Sequence, residues 1–236
     1  MNEHGRMSLR KTILFISFII FCLVPYQAQS KDNQGNFILI LDAGHGGKDT
    51  GVKLSGNTYE KDITLEIINA LKTSIERSRN IKVILTRFGD RDMPEAARLK
   101  PSGGKNGDLF ISVHVNAGFD NRSSGFEMYY LGFKLPSRMD NNSNEIVKDM
   151  VFTRSLNESV RFSKILQNDL DAVFPRKNRG LREAPIRLQF ADTPAILLEL
   201  GFSTNVRDRR SIQDPATRKA IAEAIDKSVR SYFSQI

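Results

Sequence analysis

Four short stretches of this chain are near-continuous runs of Val, Ile, Leu and Phe, and several of them end in residues able to do chemistry. They are FILILD (37–42), IKVILT (81–86), LFISVHV (109–115) and AILLELG (195–201), with the more mixed FEMYYLG (126–132) beside them. Runs of this kind are strands buried on both faces, as in a parallel sheet. Between them lie amphipathic patterns: Ile63, Ile67, Leu71 and Ile75 recur every fourth residue, and Ile221, Ile225 and Val229 share a helical face near the end. A further helix is predicted over about 159–173, and a looser helical stretch around Ala96, Ala97 and Leu99 ends at Pro101-Ser-Gly-Gly. The pattern predicts a single α/β domain with a mostly parallel central sheet and helices on both faces. A site in such a fold lies at the carboxyl ends of the strands. Those ends carry Asp42-Ala-Gly-His45, His114-Val-Asn116 and Glu199-Leu-Gly201.

Composition sets the limits. With 236 residues, 40% of them hydrophobic and 26% charged, the chain can bury a core and is neither collagen-like nor wholly disordered. Its single cysteine excludes an intramolecular disulfide framework and any multi-cysteine metal site. Arg6, Arg10 and Lys11 lead into an apolar run at 13–25, and small residues follow at Ala28 and Ser30. This is the build of a secretory signal over 1–30, cleaved after Ser30, with an uncleaved anchor as the alternative. A lipid anchor at Cys22 is disfavoured by the bulky Ile20 and Phe21. The leader takes three basic residues and one acid with it, so the net charge falls from +8 to +6. Export to a bacterial envelope, most simply the periplasm, follows. Domain 31–236 then functions there without disulfides.

Outside the leader only two histidines remain, His45 and His114, each where a strand feeds a loop. Either alone reads as a hydrogen-bonding loop residue. Glu60 and Glu199 join them, and two imidazoles with one carboxylate leave an open fourth position on a tetrahedral Zn2+. One further acid beside the bound water completes a hydrolase. Glu60 has a blander alternative as a helix-start carboxylate. Glu199 is harder to explain away, because an ionisable side chain within AILLELG is costly to bury unless paired or functional. The glycine-rich turn after 37–42 fails as a phosphate cradle, since Asp49 stands where Ser or Thr should follow Lys48. No nucleotide site is expected. Nor is nucleic-acid binding, because no basic stripe interleaves with aromatics.

LDAGHGGKDTG, YEKDITLEI around Glu60, ILTR at 84–87, DLFISVHVNA at 108–117 and PAILLELGFSTN at 194–205 resemble the zinc-dependent N-acetylmuramoyl-L-alanine amidases, in that family's order. The resemblance covers 37–235. It implies a family-3 amidase catalytic domain, one Zn2+ per chain held by His45, Glu60 and His114, and Glu199 as catalytic acid/base. The implied reaction is hydrolysis of the amide between N-acetylmuramic acid and L-alanine in peptidoglycan. The alternatives are a silent peptidoglycan-binding or regulatory relative and a zinc peptidase acting within the stem. Asn116 is a candidate donor to the developing oxyanion, its alternative being a loop-capping amide. Ala43 replaces a proline common in the family's first block.

The segment 134–157 is polar and asparagine-rich, with little regular patterning, and is predicted to be a mobile loop at the site entrance. Gram-negative relatives that gate their zinc do so with a regulatory helix in this place. The resemblance therefore makes Glu145 the candidate gating residue and an envelope activator protein a candidate partner.

Overall fold

The computed structural model describes residues 37–78, 80–98, 107–131, 143–174, 178–184 and 193–236. The leader and the 101–104 helix break lie outside them. Among the described residues there are eight strands: β1 (Phe37–Ala43), β2 (Lys53–Ser55), β3 (Thr58–Tyr59), β4 (Ile81–Leu85), β5 (Leu109–Asn116), β6 (Phe126–Leu131), β7 (Asn178–Ala184) and β8 (Ala195–Phe202). The helices are α1 (Glu60–Ile75), α2 (Glu95–Arg98), α3 (Ser143–Val173), α4 (Val206–Gln213) and α5 (Pro215–Phe233). Among the described residues, no helix is long and apolar enough to cross a membrane.

The main sheet runs β4-β1-β5-β8-β6-β7, and β2 and β3 form a separate small hairpin. β4, β1, β5 and β8 are mutually parallel. β6 lies antiparallel to β8 and parallel to β7. The expected mostly parallel α/β sheet is therefore present. The reversal at β6 brings the start of that strand to the carboxyl end of β8, so Glu127 stands opposite Glu199 and Glu199 opposite His114.

One sheet face is heavily covered. Leu39, Leu41, Ile111, Val113, Met128, Ile196 and Leu198 pack in one cluster with Ile67 and Leu71 of α1, Phe162 and Leu166 of α3, and Ile225 and Val229 of α5. The other face carries a smaller cluster of Ile40, Ile84, Phe110 and Ala195. There α2 reaches the sheet through Arg98, which pairs with Asp42. The 3.6-residue pattern read for α1 matches its buried stripe of Ile63, Ile67, Leu71 and Ile75.

Helix α1 starts where its first N–H groups are already occupied. Glu60 N donates to Val52 O at 2.9 Å and Lys61 N to Thr50 O at 3.2 Å, while Tyr59 N donates to Asp62 Oδ2 at 3.0 Å. Satisfying these orphan donors fixes the first turn, and with it Glu60.

The structure corrects the reading of 134–157 as an irregular loop. Its second half is helical, because α3 begins at Ser143 and runs for 31 residues. Ile146, Val147 and Met150 on that half are exposed. Without a buried stripe its apolar residues carry no core-facing period, so the sequence looked unpatterned. Strand β7 also escaped notice: NRGLREA is the polar edge of the sheet, and edge strands carry charge rather than alternation.

Ile67→Ala removes a fully buried side chain between α1 and the sheet. It should lower the unfolding free energy by about 2–5 kcal/mol, with an unchanged m-value in urea denaturation.

Candidate metal centre

The turn after β1 is held from several sides. Arg87 is fully buried and donates from Nε to Ala43 O (2.9 Å) and from Nη2 to Gly44 O (3.1 Å) and Lys61 O (2.8 Å). Arg98 donates to Ala43 O (2.8 Å), to His45 O and to Asp42 Oδ1 (2.8 Å). Two guanidinium groups thus take three consecutive carbonyls. Beyond them, Asp90 and Asp92 accept from the backbone N–H groups of Gly47 and Lys48, each at 2.6 Å. His45 adopts φ +62°, a conformation that side chains other than glycine rarely hold. These tethers over-determine the turn and keep it there.

The strained turn directs His45 towards Glu60. His45 Nε2 lies 3.0 Å from Glu60 Oε1, and His114 Nδ1 lies 3.0 Å from the same oxygen. Val115 N donates to Glu60 Oε1 at 2.9 Å and Val52 N to Oε2 at 3.0 Å. The far nitrogen of His45, Nδ1, sits 2.9 Å from both carboxylate oxygens of Asp49. One donor atom from each of His45, Glu60 and His114 lies within 4.8 Å of the others. Two imidazoles and a carboxylate converging on one point, one imidazole backed by a carboxylate, form a donor set that fits a divalent cation such as Zn2+.

Close packing demands glycine at two places. A Cβ at Gly44 would stand 2.5 Å from His114 Cε1, and one at Gly51 would stand 2.5 Å from Glu60 Oε2.

Burial would raise the Glu60 pKa, but hydrogen bonds from His114 and His45 outweigh it and hold the carboxyl down at about 2. Glu199 goes the other way. Burial, reinforced by the negative charges of Glu60 and Glu127 against the pull of His114 and His45, pushes it up to about 7. Its Oε2 is buried with no hydrogen-bond partner among the described residues. Two carboxyls with pKa values forced apart divide between a fixed anion and a group able to exchange a proton.

Of the residues singled out in the sequence, His45, Glu60 and His114 converge directly. Glu199 stands beside His114 on the next strand. Asn116 donates from Nδ2 to Glu127 Oε1 (2.7 Å), and its Oδ1 accepts from Ala117 N (2.7 Å), as a loop-fastening amide does. Glu145 falls within the first turn of α3, and its side chain lies outside the described residues. Glu127 was overlooked. It is 2% exposed and binds Asn116, Tyr129 and Arg179. The signal was available, since an acid inside FEMYYL is as anomalous as one inside AILLELG.

Fold and site together place the chain among α/β proteins that gather a His–Glu–His cluster able to hold a cation beside the carboxyl ends of the strands, next to a further carboxyl. The chain belongs to the N-acetylmuramoyl-L-alanine amidase family, whose model matches residues 39–231. It is 27% identical over 220 residues to the N-acetylmuramoyl-L-alanine amidase AmiC of Escherichia coli O6:H1, covering 84% of this chain and 53% of that protein. It is also 27% identical over 229 residues to AmiA of Escherichia coli K12, covering 87% of this chain and 79% of that one. The chain therefore spans about half the length of the AmiC relative. An N-acetylmuramoyl-L-alanine amidase from Clostridium difficile 630 superposes with a TM-score of 0.70 at 25% identity, covering 85% of this chain and 98% of that one. The CwlD amidase of Clostridioides difficile, solved in complex with the GerS lipoprotein, gives 0.70 at 27% identity, covering 85% and 100%.

Gly51→Ala should fold yet lose affinity for the cation by at least about tenfold in competition with a chelator, because the added methyl displaces Glu60. A second expectation concerns acid stability. Burial acts to raise the Asp42 pKa, but Arg98, Ser112 and Thr86 lower it below its usual 3.8. The stability Asp42 contributes is complete above that usual value and is lost as pH falls through the lowered one. Asp42→Asn should therefore be less stable than wild type at neutral pH, with the difference in thermal midpoint shrinking as pH falls below the usual 3.8.

Proposed function

We propose that this chain is a zinc-dependent N-acetylmuramoyl-L-alanine amidase. It hydrolyses the amide joining the lactyl group of N-acetylmuramic acid to L-alanine in peptidoglycan. The observation that carries this reading is the pairing of a His45–Glu60–His114 convergence with Glu199 one strand away, whose buried Oε2 has no hydrogen-bond partner among the described residues. Family membership supports the substrate. His45, Glu60 and His114 would hold Zn2+, which when bound supplies Lewis acidity and a water of lowered pKa.

The chain's own groups divide the remaining work. Glu199 takes the proton of the attacking water and returns it to the departing alanine nitrogen, a task suited to a carboxyl whose pKa stands near neutrality. Asn116 uses one N–H on Glu127 and carries a second. That second N–H is assigned to the carbonyl oxygen as negative charge develops there. Asp49 fixes the ring orientation of His45 through Nδ1. The first turns of α3, which include Glu145, are the segment assigned to gating.

The substrate implies an exported protein, and residues 1–30 read as the leader that sends the domain to the periplasm. The GerS complex of CwlD supports an envelope protein as a binding partner here too.

Metal analysis of the purified chain together with digestion of isolated sacculi tests the proposal. About one zinc per chain, free lactyl groups and intact stem peptides are the expected result; shortened stems would mark a peptidase, and no release at all a silent relative. Glu199→Gln should keep its zinc while turnover drops on the order of a hundredfold or more. Loss of zinc in that variant would make Glu199 a ligand and end its assignment as the shuttle. His114→Ala should lose the metal and the activity while the chain still folds, as read by its far-ultraviolet circular dichroism.

A further inference from the structure

The sheet face that carries His114 and Glu199 continues across two more strands. Register places His114, Glu199 and Glu127 side by side, and the next row across the same face is Leu197, Tyr129 and Arg182. Glu127 is saturated. Its Oε1 accepts from Asn116 Nδ2 and Tyr129 OH, each at 2.7 Å, and its Oε2 accepts from Arg179 Nε at 2.8 Å. The Arg179 guanidinium also lies over the Phe202 ring, 4.8 Å from its centroid.

Arg182 is different. Its Nη2 is 3.7 Å from Glu127 Oε2, an ion-pair distance too long for a hydrogen bond, and the side chain is 47% exposed. Two arginines therefore face one carboxylate already neutralised by the nearer of them. Among the described residues the second positive charge has no nearer partner, and its side chain is half in solvent two strands across the sheet from β8. Arg182 is also fork-shaped and always charged, and it matches a carboxylate in bidentate fashion. Adjacent strands lie about 4.8 Å apart, so its backbone is about 10 Å across the sheet from that of Leu197 and about 12 Å from that of Glu199, two residues further along β8. An extended peptide covers that distance in about three to four residues.

We propose that Arg182 forms a carboxylate-binding subsite that anchors the acidic stem peptide on the leaving-group side of the scissile amide. This inference rests on the amidase reading for the identity of the peptide. The carboxylate it takes is one borne a residue or two beyond the L-alanine. Arg179 is the structural partner that keeps Glu127 in place and so leaves Arg182 available.

The test is a calorimetric titration of the zinc-loaded full chain with L-alanyl-D-glutamate and with the same peptide bearing a carboxamide in place of its α-carboxylate. Wild type should prefer the carboxylate. Arg182→Met should weaken binding of the carboxylate peptide by about tenfold or more and leave the carboxamide unchanged. Arg182→Lys should recover part of the loss. Arg122→Met, which removes an exposed arginine paired with Asp120, should change neither affinity. Equal affinity for the two peptides in wild type would overturn the proposal. So would a preference that survives in Arg182→Met, which would move the carboxylate to another group. Binding is measured without turnover. Failure to cleave sacculi would count against the amidase reading alone, whereas cleavage with no carboxylate preference would count against the subsite alone.

Discussion

The Glu60 carboxylate is buried at the first turn of α1 and meets two imidazoles and two backbone N–H groups. Those partners come from the turn after β1, from the end of β5 and from the segment leading into β2. One side chain thus ties together the three parts of the chain that must agree for a cation site to exist. An ionised carboxylate buried without partners would be untenable. With four it is firmly placed, and despite its burial the hydrogen bonds from the two imidazoles lower its pKa. Formation of the site and docking of α1 are therefore one event: α1 cannot seat its Ile63–Ile67–Leu71 stripe without delivering Glu60 to the histidines.

The opposite half of the site is built by constraint rather than attraction. His45 sits at φ +62° between glycines whose lack of a side chain lets His114 and Glu60 approach. Such a turn would relax if left alone. Arg87 and Arg98 prevent that by occupying the carbonyls of Ala43, Gly44 and His45, and Asp90 and Asp92 hold the next two N–H groups. Lys61 of α1 closes the frame through Gly47 O (2.9 Å) and Asp90 (2.6 Å). The imidazole is thus held on rigid scaffolding before any cation arrives, which is what a site needs if binding is not to be spent on ordering its ligands.

How much of this was legible in the sequence depended on burial. The strands β1, β4, β5 and β8 are covered on both faces and so read as unbroken apolar runs, and α1 and α5 announce themselves by period. The candidate His45–Glu60–His114 trio was legible because only two histidines follow residue 30 and both fall at strand ends. Elements that bury little were illegible. The β2–β3 hairpin is too short for any period, β7 is a charged edge, and the first half of α3 has no buried stripe. Helix α4, VRDRRSIQ, is nearly all polar, although Asn205 at its start, accepting from Arg207 N and Asp208 N, is a capping signal that the sequence did offer. The arginines around the turn were invisible for another reason. Their work is done on backbone carbonyls brought close by folding, and no spacing rule encodes that.

Three glutamates crowd this end of the sheet, and their environments give them three different characters. Glu60 is neutralised by imidazoles and Glu127 by Arg179, with Asn116 and Tyr129 adding hydrogen bonds. Burial acts to raise the pKa of each, and each is nevertheless lowered. Glu199 lies between them, half-buried, with a buried Oε2 that has no hydrogen-bond donor among the described residues, and both neighbouring anions act on it in the same sense. The rise in its pKa is therefore a product of how well the other two are satisfied. If Glu60 and Glu127 were neutral themselves, their repulsion would vanish, and burial alone would have to hold Glu199 against the attraction of His114 and His45. Glu127 thus has a reason to be ionised that its own hydrogen bonds do not exhaust. As a fixed negative charge opposite Glu199 on β6, it favours the protonated form of its neighbour. It does so from outside the His45–Glu60–His114 cluster, held in place by Arg179.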